Sequence, residues 1–145
     1  MENPLAKLIP YVVGEYPKSF LKLYEKVVIP KGTNEETIKE SLWKVYEFGT
    51  VRHQGQKRRS GKPYFSDHCL QVANILAKWK MDHITVMAGL LHDTLEDTDT
   101  TLKDLNNYFG EDVTKLVDGV TKLGNIEFSS KQEKQAENYM KLLLS

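Results

Sequence analysis

The run Leu90-Leu91-His92-Asp93-Thr94-Leu95-Glu96-Asp97-Thr98 sets an imidazole beside a carboxylate directly behind an apolar stretch. Two more acids follow, three and four residues after Asp93. Aliphatic neighbours draw the pair toward the interior, where an unpaired Asp is costly to bury. A divalent cation held there removes that cost, and a metal centre implies chemistry on phosphate or carbonyl groups. His92 and Asp93 stand about 100° apart around a helix, so both reach one ion only near a helix end or kink. His68 opens the helix that precedes the His-Asp helix, and an antiparallel neighbour would bring it alongside. Two imidazoles and a carboxylate suit Mn²⁺, Fe²⁺ or Zn²⁺ better than Mg²⁺ or Ca²⁺, which prefer oxygen shells. A fourth ligand is expected, and no residue after Asp93 stands out as that ligand. The plain alternative is a satisfied core histidine followed by a helix-end Asp.

Glu96 and Asp97, beside a metal-bound water, would orient it, take its proton or protonate a leaving group. Taken alone, Glu96-Asp97-Thr98-Asp99 reads equally well as a solvated acidic loop. The third chemical element is Lys57-Arg58-Arg59-Ser60-Gly61-Lys62-Pro63-Tyr64, with four cations within six residues. Guanidinium groups grip phosphate in bidentate fashion or stack on a base, and Tyr64 offers a further face. Its place just before His68 favours substrate binding over an idle basic surface.

These residues need helices to position them, and the pattern supplies little else. Residues 4–28 are apolar-periodic but broken by Pro10 and Gly14-Glu15-Tyr16-Pro17, which predicts two short helices. After Pro30-Lys31-Gly32-Thr33, either Thr33 or Asn34 caps a helix opening with Glu35-Glu36. That helix carries Ile38, Leu42, Val45, Tyr46 and Phe48 toward His53. Gln54 to Pro63 is a polar, glycine-punctuated loop. From His68, the spacing of Val72, Ile75, Leu76 and Trp79 predicts an amphipathic helix. Ile84, Met87, Ala88 and Leu91 predict the next, which delivers His92-Asp93 at its end. Thr101 and Asp104 resemble a capping box for a short helix ending at Gly110. Val113, Leu116, Val117 and Val120 form another stripe, and Ser130 with Glu133 caps a last helix. No internal repeat is present.

The 145 residues are 40% hydrophobic, enough for one all-helical domain with a core. Twenty basic and 20 acidic residues give a formal net charge of zero, so no global field holds the chain on nucleic acid or an anionic membrane. Any anion site must be local. Cys69 is the one cysteine, which excludes an intrachain disulfide and a Cys-rich zinc site, and a cytoplasmic home is expected. No stretch approaches the roughly 20 apolar residues of a membrane span, and the first residues lack the pattern of a signal peptide. The C-terminal Tyr139-Met140-Lys141-Leu142-Leu143-Leu144-Ser145 stops in mid-helix pattern without a cap, which reads as a truncation.

Together these segments resemble the hydrolase domain of the RelA/SpoT family, enzymes that make and destroy the alarmone (p)ppGpp. The resemblance covers roughly residues 40–145. It runs through His53-Gln54-Gly55-Gln56-Lys57-Arg58-Arg59-Ser60-Gly61-Lys62-Pro63-Tyr64 and Gly89-Leu90-Leu91-His92-Asp93-Thr94-Leu95-Glu96-Asp97-Thr98. Phe109-Gly110, Val117-Asp118-Gly119-Val120-Thr121-Lys122-Leu123 and Gln135-Ala136-Glu137-Asn138 continue it. It implies an all-α, HD-domain helical bundle over residues 33–145, preceded by a helical extension over 1–32. It further implies His68, His92 and Asp93 as Mn²⁺ ligands, though another divalent transition metal would also fit. Glu96 and Asp97 become the catalytic acids, while Lys57, Arg58, Arg59, Ser60 and Tyr64 hold a guanine nucleotide.

The chain departs from the family pattern in two places. The family usually has Pro-Tyr, two residues, then His-Pro; here Phe65-Ser66-Asp67 precedes His68-Cys69, one residue longer and with Cys for Pro. His68 keeps the register to the following helix, and Asp67 occupies the ungapped position. The family's fourth ligand lies in a later Ala-Asp-Arg-Leu-His-Asn motif, so by this resemblance that ligand is expected beyond this chain. The expected function is metal-dependent hydrolysis of the 3′-pyrophosphate of (p)ppGpp, in a parent with synthetase and regulatory domains. Hydrolysis of another nucleotide, or alarmone binding without turnover, are the alternatives. Neither membrane nor direct nucleic-acid binding is expected.

Overall fold

The computed structural model describes residues 16–124, and every regular element among them is helical. Of the two helices predicted over 4–28, the second is α1, Lys18–Tyr24; the first lies outside the described residues. So does the helix predicted after Ser130. α2, Glu35–Arg52, begins where Asn34 Oδ1 accepts the backbone N–H groups of Glu36 and Thr37 at 2.9 and 3.3 Å. These donors have no partner within the helix, and Glu35 and Glu36 add favourable charge at the same end. Thr33 bonds instead to the Pro30 carbonyl, so Asn34 is the cap.

A π-helical turn, Phe65–Cys69, then leads into α3 (Leu70–Lys78), and α4 (His83–Leu91), the single turn α5 (Thr94–Asp97), α6 (Leu102–Phe109) and α7 (Glu111–Gly124) complete the described order. α4 is the central element and packs against α2, α3 and α7. Its residues Thr85 to Leu91 are all buried, because neighbours surround it on several sides. Asp82 caps it, accepting the Thr85 N–H at 2.7 Å. The predicted capping box forms between Thr101 and Asp104, and Gly110 ends α6 at φ 92°. Val113, Val117 and Val120 of α7 are buried, while Leu116 is partly so.

The face of α3 differs from its predicted stripe. Val72, Ala73, Leu76 and Ala77 turn inward, whereas Ile75 and Trp79 are exposed. Small Ala73 lies where α3 comes close to α4. A Cβ added at Gly89 would stand 2.7 Å from Leu76 Cδ1 and 3.5 Å from the Ala73 Cα. A second close approach occurs at Gly49, where an added Cβ would overlap the Phe65 ring.

Phe20 and Leu23 of α1 reach the same core as α2 and α3. Phe20 meets Trp43 edge-on at 5.0 Å between ring centroids, and Tyr46 meets Phe65 at 5.4 Å in the same manner. Edge-to-face pairing suits the ring quadrupoles and fixes where Phe65 sits, one residue after Tyr64. No helix among the described residues is long and apolar enough to cross a membrane.

Candidate metal centre

α4 ends at Leu91, with His92 as its C-cap and Asp93 beyond the last helical turn. The chain leaves helical geometry there, since Asp93 has φ −99° and ψ 0°. This break frees both side chains to meet at one point, as the sequence required. The His92 Nδ1 lies 2.6 Å from the Gly89 carbonyl oxygen, which only accepts. Nδ1 therefore carries the proton, and the basic Nε2 faces the cluster.

His68 comes from the other side. The stretch Phe65–Cys69 is a π-helical turn, in which the Leu70 N–H reaches back to the Phe65 carbonyl. Such a turn accommodates one additional residue without shifting the helix that follows. It absorbs the extra residue between Tyr64 and His68, and His68 faces His92. Asp67 points elsewhere: its carboxylate pairs with Arg58 at 3.0 Å and with Lys62 at 4.0 Å.

Three donor atoms thus converge. His68 Nε2 and His92 Nε2 lie 3.1 and 3.0 Å from Asp93 Oδ2, and 3.2 Å from each other. They are the one group of three or more such donors close enough to hold an ion among the described residues. Edges of this length match adjacent ligands each about 2.1 Å from one ion. Two ring nitrogens aimed at each other beside a carboxylate are electrostatically at odds unless a cation or proton lies between them. The donor set therefore fits a divalent metal.

Tyr64 completes the cluster by donating its hydroxyl to Asp93 Oδ2 at 2.7 Å and, more weakly, to Asp97 Oδ2 at 3.3 Å. Burial, the bond to Asp93 and the charges of Asp93 and Asp97 push the Tyr64 phenol far up, so it stays a donor. Burial alone would raise the Asp93 carboxyl. When their rings are protonated, His68 and His92 override it by hydrogen bonds and charge, the Tyr64 hydroxyl adds to them, and Asp93 is held well below the usual carboxylate range. Asp93 is ionised and ready to ligate.

Glu96 and Asp97 stand exposed on the single turn α5, and Asp97 reaches the cluster through the Tyr64 hydroxyl. Thr94 anchors that turn by donating to the Leu91 carbonyl at 2.7 Å. Lys57, Arg58, Arg59 and Ser60 line a cleft of about 660 Å³ together with Lys62, Tyr64 and Asp67. The loop folds back on itself through a bridge between Lys57 and Pro63. Tyr64 is thus shared by the cleft and the donor cluster. Its hydroxyl is directed to acids, a role that its aromatic type alone did not indicate. Arg58 also differs from a free phosphate-binding cation, because it pairs with Asp67.

His53, Gln56 and Cys69 also meet beside the cluster, and the sequence does not mark them as ligands or acids. His53 Nδ1 lies 2.8 Å from Gln56 Oε1, and Gln56 Nε2 donates to the Asp97 carbonyl at 2.6 Å. The three-residue spacing of two polar side chains in His53-Gln54-Gly55-Gln56 was the available signal.

Comparisons with known proteins place the chain among relatives of one family. A family model described as HD domain matches residues 46–145. The chain is 53% identical over 106 residues to a guanosine-3′,5′-bis(diphosphate) 3′-pyrophosphohydrolase of Aquifex aeolicus, covering 73% of this chain and 15% of that protein. It is 45% identical over 111 residues to the bifunctional (p)ppGpp synthase/hydrolase SpoT of Escherichia coli, covering 77% and 16%. A solved structure of a metazoan SpoT ortholog, described as hydrolysing ppGpp, superposes with a TM-score of 0.56 at 29% identity. That match covers 77% of this chain and 60% of the other. The chain spans about 15% of the length of the curated relatives it matches.

Proposed function

The chain belongs to the HD domain family, and from that premise we propose that it hydrolyses the 3′-pyrophosphate of guanosine 3′,5′-bis(diphosphate) and its 5′-triphosphate counterpart. The observation that carries this reading is the junction at Tyr64, where a three-donor metal cluster adjoins a cleft lined by cations. His68, His92 and Asp93 would hold the ion, which we take to be Mn²⁺. When bound, it supplies Lewis acidity that lowers the pKa of a ligated water and offsets phosphoryl charge.

The protein's own residues do the rest. Arg59 and Lys57 hold the nucleotide phosphates, Ser60 donates a hydroxyl, and Arg58 exchanges or shares its Asp67 partner for the substrate. Glu96 or Asp97 takes a proton from the attacking water as its oxygen bonds to the phosphorus attached to ribose O3′. The P–O3′ bond breaks, pyrophosphate departs, and O3′ receives a proton. Guanosine diphosphate or triphosphate remains. We place this chemistry in the cytoplasm, as part of a protein that also carries synthetase and regulatory regions, with residues 33–145 belonging to the hydrolase domain.

The test is pyrophosphate release from ppGpp with and without Mn²⁺, using the protein as its gene encodes it. His92→Ala and Asp93→Ala are each expected to lower the rate at least about a thousandfold, near 4 kcal/mol of barrier. Unchanged rates would remove the proposed centre. Tight ppGpp binding without product in the Mn²⁺-loaded wild type would select a regulatory module instead.

A further inference from the structure

Gln56 belongs neither to the cleft lining nor to the donor triangle, yet its side chain joins the loop to the acid turn. Its Nε2 lies 2.6 Å from the backbone carbonyl of Asp97. A carbonyl only accepts, so the amide must turn its nitrogen there and its oxygen toward His53. That oxygen, 2.8 Å from His53 Nδ1, in turn only accepts. The ring proton of His53 is therefore on Nδ1, which leaves the Nε2 lone pair facing Cys69 Sγ at 3.8 Å. Both His53 and Cys69 are buried, so no water competes for these groups. The bonds run one way, from the Cys69 S–H through His53 and Gln56 to Asp97.

We infer that Gln56 is a positioning residue for the acid turn, holding Asp97 through its backbone carbonyl and thereby placing the Asp97 carboxylate beside the donor cluster, where it meets the Tyr64 hydroxyl. α5 is a single turn of four residues. A turn that short has almost no stability of its own, and its last carbonyls lack helical partners. The Gln56 amide supplies one partner from outside. The same loop segment fixes Tyr64, whose backbone N–H donates to the Gln56 carbonyl at 2.9 Å. Gln56 thus sets two groups against the cluster at once. This role rests on the proposed hydrolysis only in its kinetic consequence.

The experiment combines kinetics with ¹⁵N NMR of the His53 ring in the metal-free chain. Gln56→Glu keeps an oxygen for His53 but sets an acceptor against the Asp97 carbonyl. Its kcat for ppGpp hydrolysis with Mn²⁺ is expected to fall ten- to hundredfold, about what a misplaced catalytic group costs, with KM within about threefold. Its His53 stays Nδ1-protonated, as in the wild type. An Nε2-protonated His53 in the wild type would overturn the inference. So would an unchanged kcat for Gln56→Glu in a protein that turns over ppGpp. Should the wild type release no pyrophosphate, the proposed function fails separately, and the wild-type tautomer alone decides whether the chain of bonds exists.

Discussion

Tyr64 ties the two halves of the site together through one hydroxyl and one ring. The ring packs against His53 and His68 at 5.3 Å from each, and the hydroxyl donates to Asp93. Removing only the oxygen separates these contributions. Tyr64→Phe is expected to weaken Mn²⁺ binding about ten- to hundredfold, as loss of a partner to a ligating carboxylate does. Titration followed by Mn²⁺ electron paramagnetic resonance would read this, with little change in Tm because the ring remains. A second residue, Glu47, bears on stability rather than chemistry. It is 3% exposed on α2, and its Oε1 has no hydrogen-bond partner. Burial pushes its carboxyl up to about 7, only partly opposed by a hydrogen bond with Trp43. The unfolded chain releases this proton near the ordinary value of 4.5, while the folded protein keeps it until about 7. Between these limits the unfolded state binds fewer protons, so stability falls as pH rises. Glu47→Gln is expected to raise Tm by several degrees at pH 8 and hardly at pH 5. Equal gains at both values would mean that Glu47 is not held protonated.

Among the elements, the π-helical turn Phe65–Cys69 decides which residue joins the cluster. An ordinary α-helical turn with the same sequence would rotate the preceding residues by about 100° relative to the following helix. The wider turn takes up the additional residue, so Asp67 stays with Arg58 while His68 faces His92. Ser66 is exposed and its side chain makes no hydrogen bond among those of the described residues, which marks it as the removable residue. Deleting Ser66 is expected to convert the turn to α-helix, with His68 still at the cluster and Mn²⁺ affinity within about threefold. Tyr64 and His68 would then be three apart rather than four, spacings that both share a helix face. Complete loss of metal binding would show that the four-residue spacing itself is needed. The neighbouring elements leave little slack, since Gly49 on α2 is what admits the Phe65 ring.

For the whole molecule, charge balance and metal linkage are the properties that matter. The formal net charge is zero, while the cations of the loop from Lys57 to Lys62 line one cleft. Attraction for a polyphosphate is therefore local, and salt screens it beyond about 10 Å. Binding an ion to the folded cluster should also stabilise the fold, because the unfolded chain cannot assemble His68 with His92 and Asp93. At a hundredfold excess over Kd, Mn²⁺ is expected to add about 2.7 kcal/mol, or roughly 5–10 °C in Tm. Asp93→Ala should abolish that shift in a thermal melt. An equal shift in the variant would place the bound ion elsewhere.

The sequence by itself determined the helical class, most helix boundaries and the chemical types of the centre. Local rules suffice for these: Asn34 and Thr101 cap through neighbouring backbone, and the apolar run to Leu91 carries His92-Asp93 inward whatever surrounds it. Tertiary structure decided what depends on contacts between distant segments. Ile75 and Trp79 are exposed because α4 meets the Ala73 and Leu76 face of α3, a choice that hydrophobic periodicity does not register. His68 rather than Asp67 meets His92 because a π turn shifts the register between two residues adjacent in sequence. Gln56, Cys69 and the Tyr64 hydroxyl gained their roles in the same way. Polar side chains take their meaning from the single atom placed opposite them, and only the folded chain places it.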